Sequence, residues 1–194
     1  NQTMMKKLVV AGLVTSVLVG CATGNTPEAK KKNAIKETNA ALQDIYDDHA
    51  SAKAAVGKSL GYLVCTGSDS YLMAASTGGG VCTFKSNGKT EFYRFASLGV
   101  GAGIGFKKVA FLYVYNDAEA MRRFKEEGWD AGARAEASAK HEEEGGQAAA
   151  NTSYDVDGVR IYQSALWGAA AQATVQGYKF WPTDFTDDVM QNSE

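Results

Sequence analysis

The chain predicts an α+β domain, with an N-terminal helix packed on a curved, mostly antiparallel, barrel-like sheet of about seven strands and one crossing helix. Three observations predict it. Apolar residues recur at helical spacing from Ala34 to about residue 57, and from Gly61 onward the period falls to that of strands. Glycine is abundant at 21 residues while proline stands at 2, a balance that suits sheets with tight turns and close backbone approach.

Ahead of that domain lies a different kind of segment. Lys6 and Lys7 precede an apolar run from Leu8 to Val17 that closes on Leu18-Val19-Gly20-Cys21. A basic head, roughly a dozen apolar residues and a small residue before the cut are the parts of an export signal, and the run is shorter than the ~18 to 20 residues that span a bilayer. Leu18 to Cys21 resembles the lipobox of bacterial lipoproteins, in which the cysteine is acylated with chains such as palmitate and becomes the first mature residue. The resemblance implies a lipoprotein signal over 1–20 and an acylated tether over 21–32, ahead of a domain expected over 33–181 and an acidic tail over 182–194. Ala22 after the cysteine implies sorting to the outer membrane of a bacterial envelope, facing the periplasm.

Composition narrows the function. Apolar residues make up 45% and charged residues 22%, enough to build one core, and the formal charge of -2 comes without a basic block of the kind that neutralises nucleic-acid phosphates. Cys65 and Cys82 remain once Cys21 is assigned to the anchor. In an oxidising compartment they close a disulfide or lie as two buried thiols, and sequence leaves both open. No CxxC or His-rich spacing points to a metal. His49 and His141 are the only histidines and sit in no nucleophile motif, while Asp47-Asp48 and Asp187-Asp188 are adjacent pairs that point apart on a helix. The expectation is a protein with no catalytic residues, cofactor or metal.

The elements follow in order. Thr26 caps a helix with Pro27 at its first position, and Ile35, Leu42, Ile45 and Tyr46 with Ala34, Ala41 and Ala50 give one stripe. Short strands are expected at Gly61 to Cys65, Tyr71 to Ala75, Val81 to Lys85 and Thr90 to Phe95, with turns at Thr66 to Ser70 and Thr77 to Gly80. Asn87-Gly88 predicts a tight hairpin. Leu98 to Phe106 carries glycine at every second place; the G-x-G-x-G-x-G spacing is not a dinucleotide fingerprint, and predicts instead a strand with one bare face on which a helix or an aromatic ring lies. Lys107 to Tyr115 is a further strand. Asn116 or Asp117 starts a helix that Gly128 ends, Trp129 to Lys140 reads as a small-residue strand, His141 to Ser153 as a polar loop, and Val159 to Tyr162 and Ala169 to Trp181 as the last strands.

Tyr62-Leu63-Val64, the Gly78-Gly79-Gly80-Val81 bend, the glycine ladder leading into Val109 to Tyr115, the Ala118 to Phe124 helix, Trp129 to Ala133 and Val159 to Tyr162 with Gly168 and Gly177 resemble, in that order, the SYLF domain, also called the YSC84-like family. That resemblance implies phosphoinositide or membrane binding, and bacterial members are often envelope lipoproteins. With the anchor, it implies a non-catalytic lipid- or phospholipid-binding domain in which Lys107, Lys108, Arg122 and Arg123 are candidate contacts to anionic headgroups. The alternative is a structural envelope lipoprotein whose surface serves a protein partner.

Overall fold

The computed structural model describes residues 26–128 and 152–187. The signal and Cys21, the strand expected over 129–140, the loop with His141 and residues 188–194 lie outside the described residues. Within them the chain is α+β, three helices on one antiparallel sheet.

Helix α1 (Pro27–Asp48) begins as its residues dictate. The Thr26 hydroxyl accepts from the Ala29 amide at 3.2 Å, and Pro27 occupies the first position, where no amide partner is needed. The expected single helix to residue 57 is instead broken. His49 turns extended (φ -131°, ψ 100°), and a second helix, α2 (Ala52–Lys58), starts after Ser51. Tertiary contacts hold the break: the His49 ring lies edge-on to Tyr162 with its Nε2 3.1 Å from the Gln163 carbonyl, and the Ser51 and Tyr162 hydroxyls meet at 3.1 Å. The buried stripe of α1 is Ala34, Thr38, Ala41, Leu42 and Ile45. Ile35, assigned to it from spacing, is exposed, and Thr38 takes the inward place by donating to the Ala34 carbonyl and accepting from Thr83.

The sheet corrects the expectation of about seven short strands. Strand β1 (Gly61–Ser86) and strand β2 (Lys89–Tyr115) form one very long hairpin, paired from Ser86 with Lys89 back to Gly61 with Tyr115. The Asn87-Gly88 turn has φ of 52° and 72°, the left-handed pair that matches strand twist. The turns expected at 66–70 and 77–80 are not reversals of the chain, because β1 stays paired with β2 on both sides of each. Their glycines mark something else. A Cβ on Gly67 would lie 2.1 Å from the Gly79 carbonyl oxygen, and one on Gly80 would lie 2.1 Å from that of Thr66. The hairpin is therefore doubled over, so that the two halves of β1 meet backbone to backbone with no room for side chains. The fold centres on Met73, at φ 55°, where the register with β2 slips before Ala75.

Helix α3 (Ala118–Glu127) follows, capped by the Asp117 carboxylate, which accepts from the Glu119 and Ala120 amides, and ended by Gly128 at φ 59°. Beyond 151, strand β3 (Thr152–Val156) and strand β4 (Val159–Pro182) form a second hairpin through Asp157 and Gly158, both left-handed. The loop expected over His141 to Ser153 gives way to strand already at Thr152, and the two last strands are one. Strand β4 pairs along β2 from Tyr115 to Tyr93, giving the order β1-β2-β4-β3 with β1 and β3 at the edges among the described residues.

Two cores result. Inside the fold, Leu63, Phe84, Phe95, Phe111, Tyr113, Tyr178 and Phe180 interdigitate with Phe124 of α3, and aromatic edges meet aromatic faces throughout. On the outer face, Val64, Leu112, Val114 and Tyr162 take Leu42 and Ile45 of α1 and Ala52 of α2.

Candidate functional site

Alternation along the strands decides which residues face which way. In the aromatic core the odd positions of β2 point in: Tyr93, Phe95, Phe111 and Tyr113. Carried toward the bend, the same parity delivers Ser97 and the glycines to the inside and delivers Leu98, Val100, Ile104 and Phe106 to the outside. There nothing covers them among the described residues. Leu98 and Val100 are each 71% exposed, Ile104 68%, and Leu72, the cross-strand partner of Ile104, 70%. Met73 at the crest is 80% exposed.

The inside of the bend is polar. Asp69 is 1% exposed and accepts from the Ser97 hydroxyl at 2.9 Å and the Tyr71 hydroxyl at 3.5 Å. Tyr71 and Ser76 are buried beside it, and Gly99 pairs with Ser76. A Cβ on Gly78 would meet Asp69 Oδ1 at 2.1 Å, so the bare backbone there makes room for the carboxylate. The sequence puts a helix or an aromatic ring on the bare face of the ladder; there Gly105 stands across from Tyr71, whose side chain is fully buried, and Gly99 across from the buried Ser76.

A disulfide joins Cys65 to Cys82 across the fold, with Cα atoms 4.1 Å apart and both residues fully buried in the aromatic core. It clamps the two halves of β1 where they enter the bend.

The candidate cations are not brought together. Lys107 and Lys108 stand just after Phe106, where the apolar run of the bend ends. Lys107 pairs across from Asp69 and holds its ammonium 5.4 Å from the centre of the Tyr71 ring, while strand alternation sends Lys108 to the outer side. Arg122 and Arg123 ride on α3 at the opposite end of the hairpin, where Met121 approaches Gly61 and Lys125 pairs with Glu91 at 3.0 Å. Arg122 is gripped between Glu119 and Glu126, whose hydrogen bonds push its guanidinium to a still higher pKa than usual. His49 acts as a structural joint between α1 and β4, as described above.

With this geometry in hand, the chain can be set beside known proteins. It is similar to beta cell expansion factor A of Aeromonas veronii, 28% identical over 142 residues that make up 73% of this chain and 52% of the relative. The chain thus spans about half the length of that relative. No protein-family model matches the chain, and no solved structure matches it.

The exposed apolar bend is what sequence reasoning missed. Its signal was present: a strand with glycine on one face and Leu, Val, Ile and Phe on the other has nothing to bury those side chains against unless another element covers them. No helix of the described residues is long and apolar enough to cross a membrane.

Proposed function

We propose that this chain is a lipid-anchored, non-catalytic envelope protein of SYLF type whose folded domain binds lipid or phospholipid, with the anchor at an acylated Cys21. One observation carries the reading: the outer face of the bend exposes Leu72, Leu98, Val100, Ile104 and Phe106, with Lys108 just beyond them. Exposed apolar patches on soluble domains mark contact surfaces for proteins or membranes. The resemblance in glycine placement and the export signal with its lipobox-like end support the membrane side of that choice. Among the headgroup candidates, Lys108 lies on the outer side beside the patch, Lys107 turns to the Tyr71 ring, and Arg122 is engaged by two glutamates at the far end. The same reading takes the folded-over sheet as barrel-like, the two halves of β1 meeting at the disulfide.

Flotation of a Cys21→Ser form with vesicles tests it. The expected result is co-flotation with vesicles rich in anionic phospholipid, weakening as salt is raised. No retention on anionic vesicles at low salt, together with recovery of one stoichiometric envelope partner by crosslinking in cells, would replace lipid by protein as the ligand.

A further inference from the structure

The bend has the polarity of a membrane-inserted sheet rather than of a water-exposed one. In an antiparallel sheet with one face in water, the exposed face is polar and the covered face apolar. Here the order is reversed. Asp69, Ser76 and Ser97 are buried inside, beside glycine, while Leu72, Leu98, Val100, Ile104 and Phe106 point out. Apolar outside with polar or glycine inside is the pattern of strands that face lipid.

Two further features distinguish a bilayer from a protein partner. First, the apolar residues lie on both slopes of the fold. Leu98 and Val100 descend one side of the crest, Ile104 and Phe106 the other, and β1 adds Leu72 and Met73 beside them. A partner that docked by one flat face would leave half of that surface wet, whereas a fluid surrounds a wedge on every side. Second, the apolar zone has a defined depth. From the crest near Gly103, Leu98 lies five residues down one slope and Phe106 three down the other, or ~17 Å and ~10 Å at ~3.3 Å per residue, which brackets half of a ~30 Å hydrocarbon core. Lysines stand at its lower rim on both sides: Lys108 after Phe106, and Lys179, exposed, on β4 opposite Ala96 and just below Leu98.

We infer that the doubled-over tip of the sheet, residues 70–77 and 98–106, is a preformed wedge that enters the acyl-chain region of one bilayer leaflet and stops with Lys108 and Lys179 at the phosphate level. The ligand is then the hydrocarbon of the leaflet, with anionic headgroups as a secondary contact. This rests on the lipid-binding reading and sharpens it. Within the wedge the backbone of β2 stays paired on entry, because it is hydrogen-bonded on both sides, to β1 and to β4.

The test uses the full chain with Cys21→Ser and the native disulfide intact, labelled with an environment-sensitive dye at one added cysteine: Leu98→Cys, Ile104→Cys, Lys108→Cys or, as a control at the far end, Lys89→Cys. Vesicles of phosphatidylcholine and phosphatidylglycerol carry a nitroxide quencher on the acyl chain or on the headgroup. Dyes at 98 and 104 are expected to shift to the blue and to be quenched most by the acyl-chain nitroxide, the dye at 108 by the headgroup nitroxide, and the dye at 89 by neither. Leu98→Ser with Ile104→Ser, both on exposed sites, is expected to lower vesicle partitioning at least about tenfold without altering thermal unfolding. Co-flotation with unshifted dyes at 98 and 104 overturns the wedge and leaves lipid binding standing through another surface. Absence of co-flotation overturns both, and a blue shift that appears without vesicles and grows with protein concentration assigns the surface to a second copy of the chain instead.

Discussion

Reducing the Cys65–Cys82 bond should cost this domain a large part of its stability while leaving its native contacts nearly in place. The bond closes a loop with a sequence separation of 17, and that loop contains the whole of the β1 contribution to the bend. In the chain-entropy model a closure of this size removes about 3 kcal/mol of freedom from the unfolded ensemble. Set against a typical total of ~5 to 15 kcal/mol, that is roughly a fifth to three fifths of the margin. The native state has other means of holding the fold, since Phe95 spans the same region through edge contacts with Phe111 and tilted contacts with Tyr178 and Phe180. The loss should therefore appear mainly through the unfolded state. Urea unfolding of oxidised and reduced protein, followed by near-ultraviolet circular dichroism of the aromatic core, measures it. The reduced form is expected to unfold at lower urea with a steeper dependence, because its unfolded chain is more expanded. A difference below about 1 kcal/mol with unchanged slope would refute the reasoning, and would mean that the two halves of β1 stay together in the unfolded ensemble without the bond.

Three other outcomes follow from particular sites. Gly67→Ala should destabilise by about 2 to 3 kcal/mol, because its Cβ meets the backbone of Gly79, whereas Gly57→Ala, with open space around it in α2, should stabilise by about 0.5 to 1 kcal/mol; thermal unfolding of the pair compares them. Ser164 is fully buried and its hydroxyl has no hydrogen-bond partner among the described residues, so Ser164→Ala should raise stability by about 1 kcal/mol in the same assay. Burial raises the phenol pKa values of Tyr46, Tyr62 and Tyr93 above the ordinary 10.0, with help from Tyr62 at Tyr46 and from Glu91 at Tyr93. A group whose folded pKa is raised contributes stability that is present below its unfolded value and lost as pH rises through the folded one, so the domain should weaken from about pH 10 upward; phenolate absorbance rising together with loss of the aromatic circular dichroism would show it.

Much of the local structure could be read from single residues. Thr26-Pro27, Asp117 with Gly128, and Asn87-Gly88 all act through the backbone of their own turn, and the structure keeps each one. The Asp157-Gly158 turn carries the same signal, in a stretch between the expected loop and the strand at Val159 to which no element is assigned. Glycines at 67 and 78–80 misled, because a glycine required by a close backbone approach looks in sequence like one required by a turn. The break of the first helix at His49 was equally hidden. Its cause is Tyr162 and Gln163, more than a hundred residues away.

The sequence by itself determined the class of the domain, the start of α1 and both ends of α3, the tight hairpin turn and the two-faced character of the glycine ladder, since each depends on spacing of two to four residues along one segment. Only the tertiary structure decided that β1 folds back on itself at Gly67, Gly79 and Gly80, and that Leu98, Val100, Ile104 and Phe106 are left uncovered on both slopes of the bend among the described residues. The reason is that strand alternation says which side chains share a face, while whether that face meets protein or solvent depends on how the whole sheet folds over.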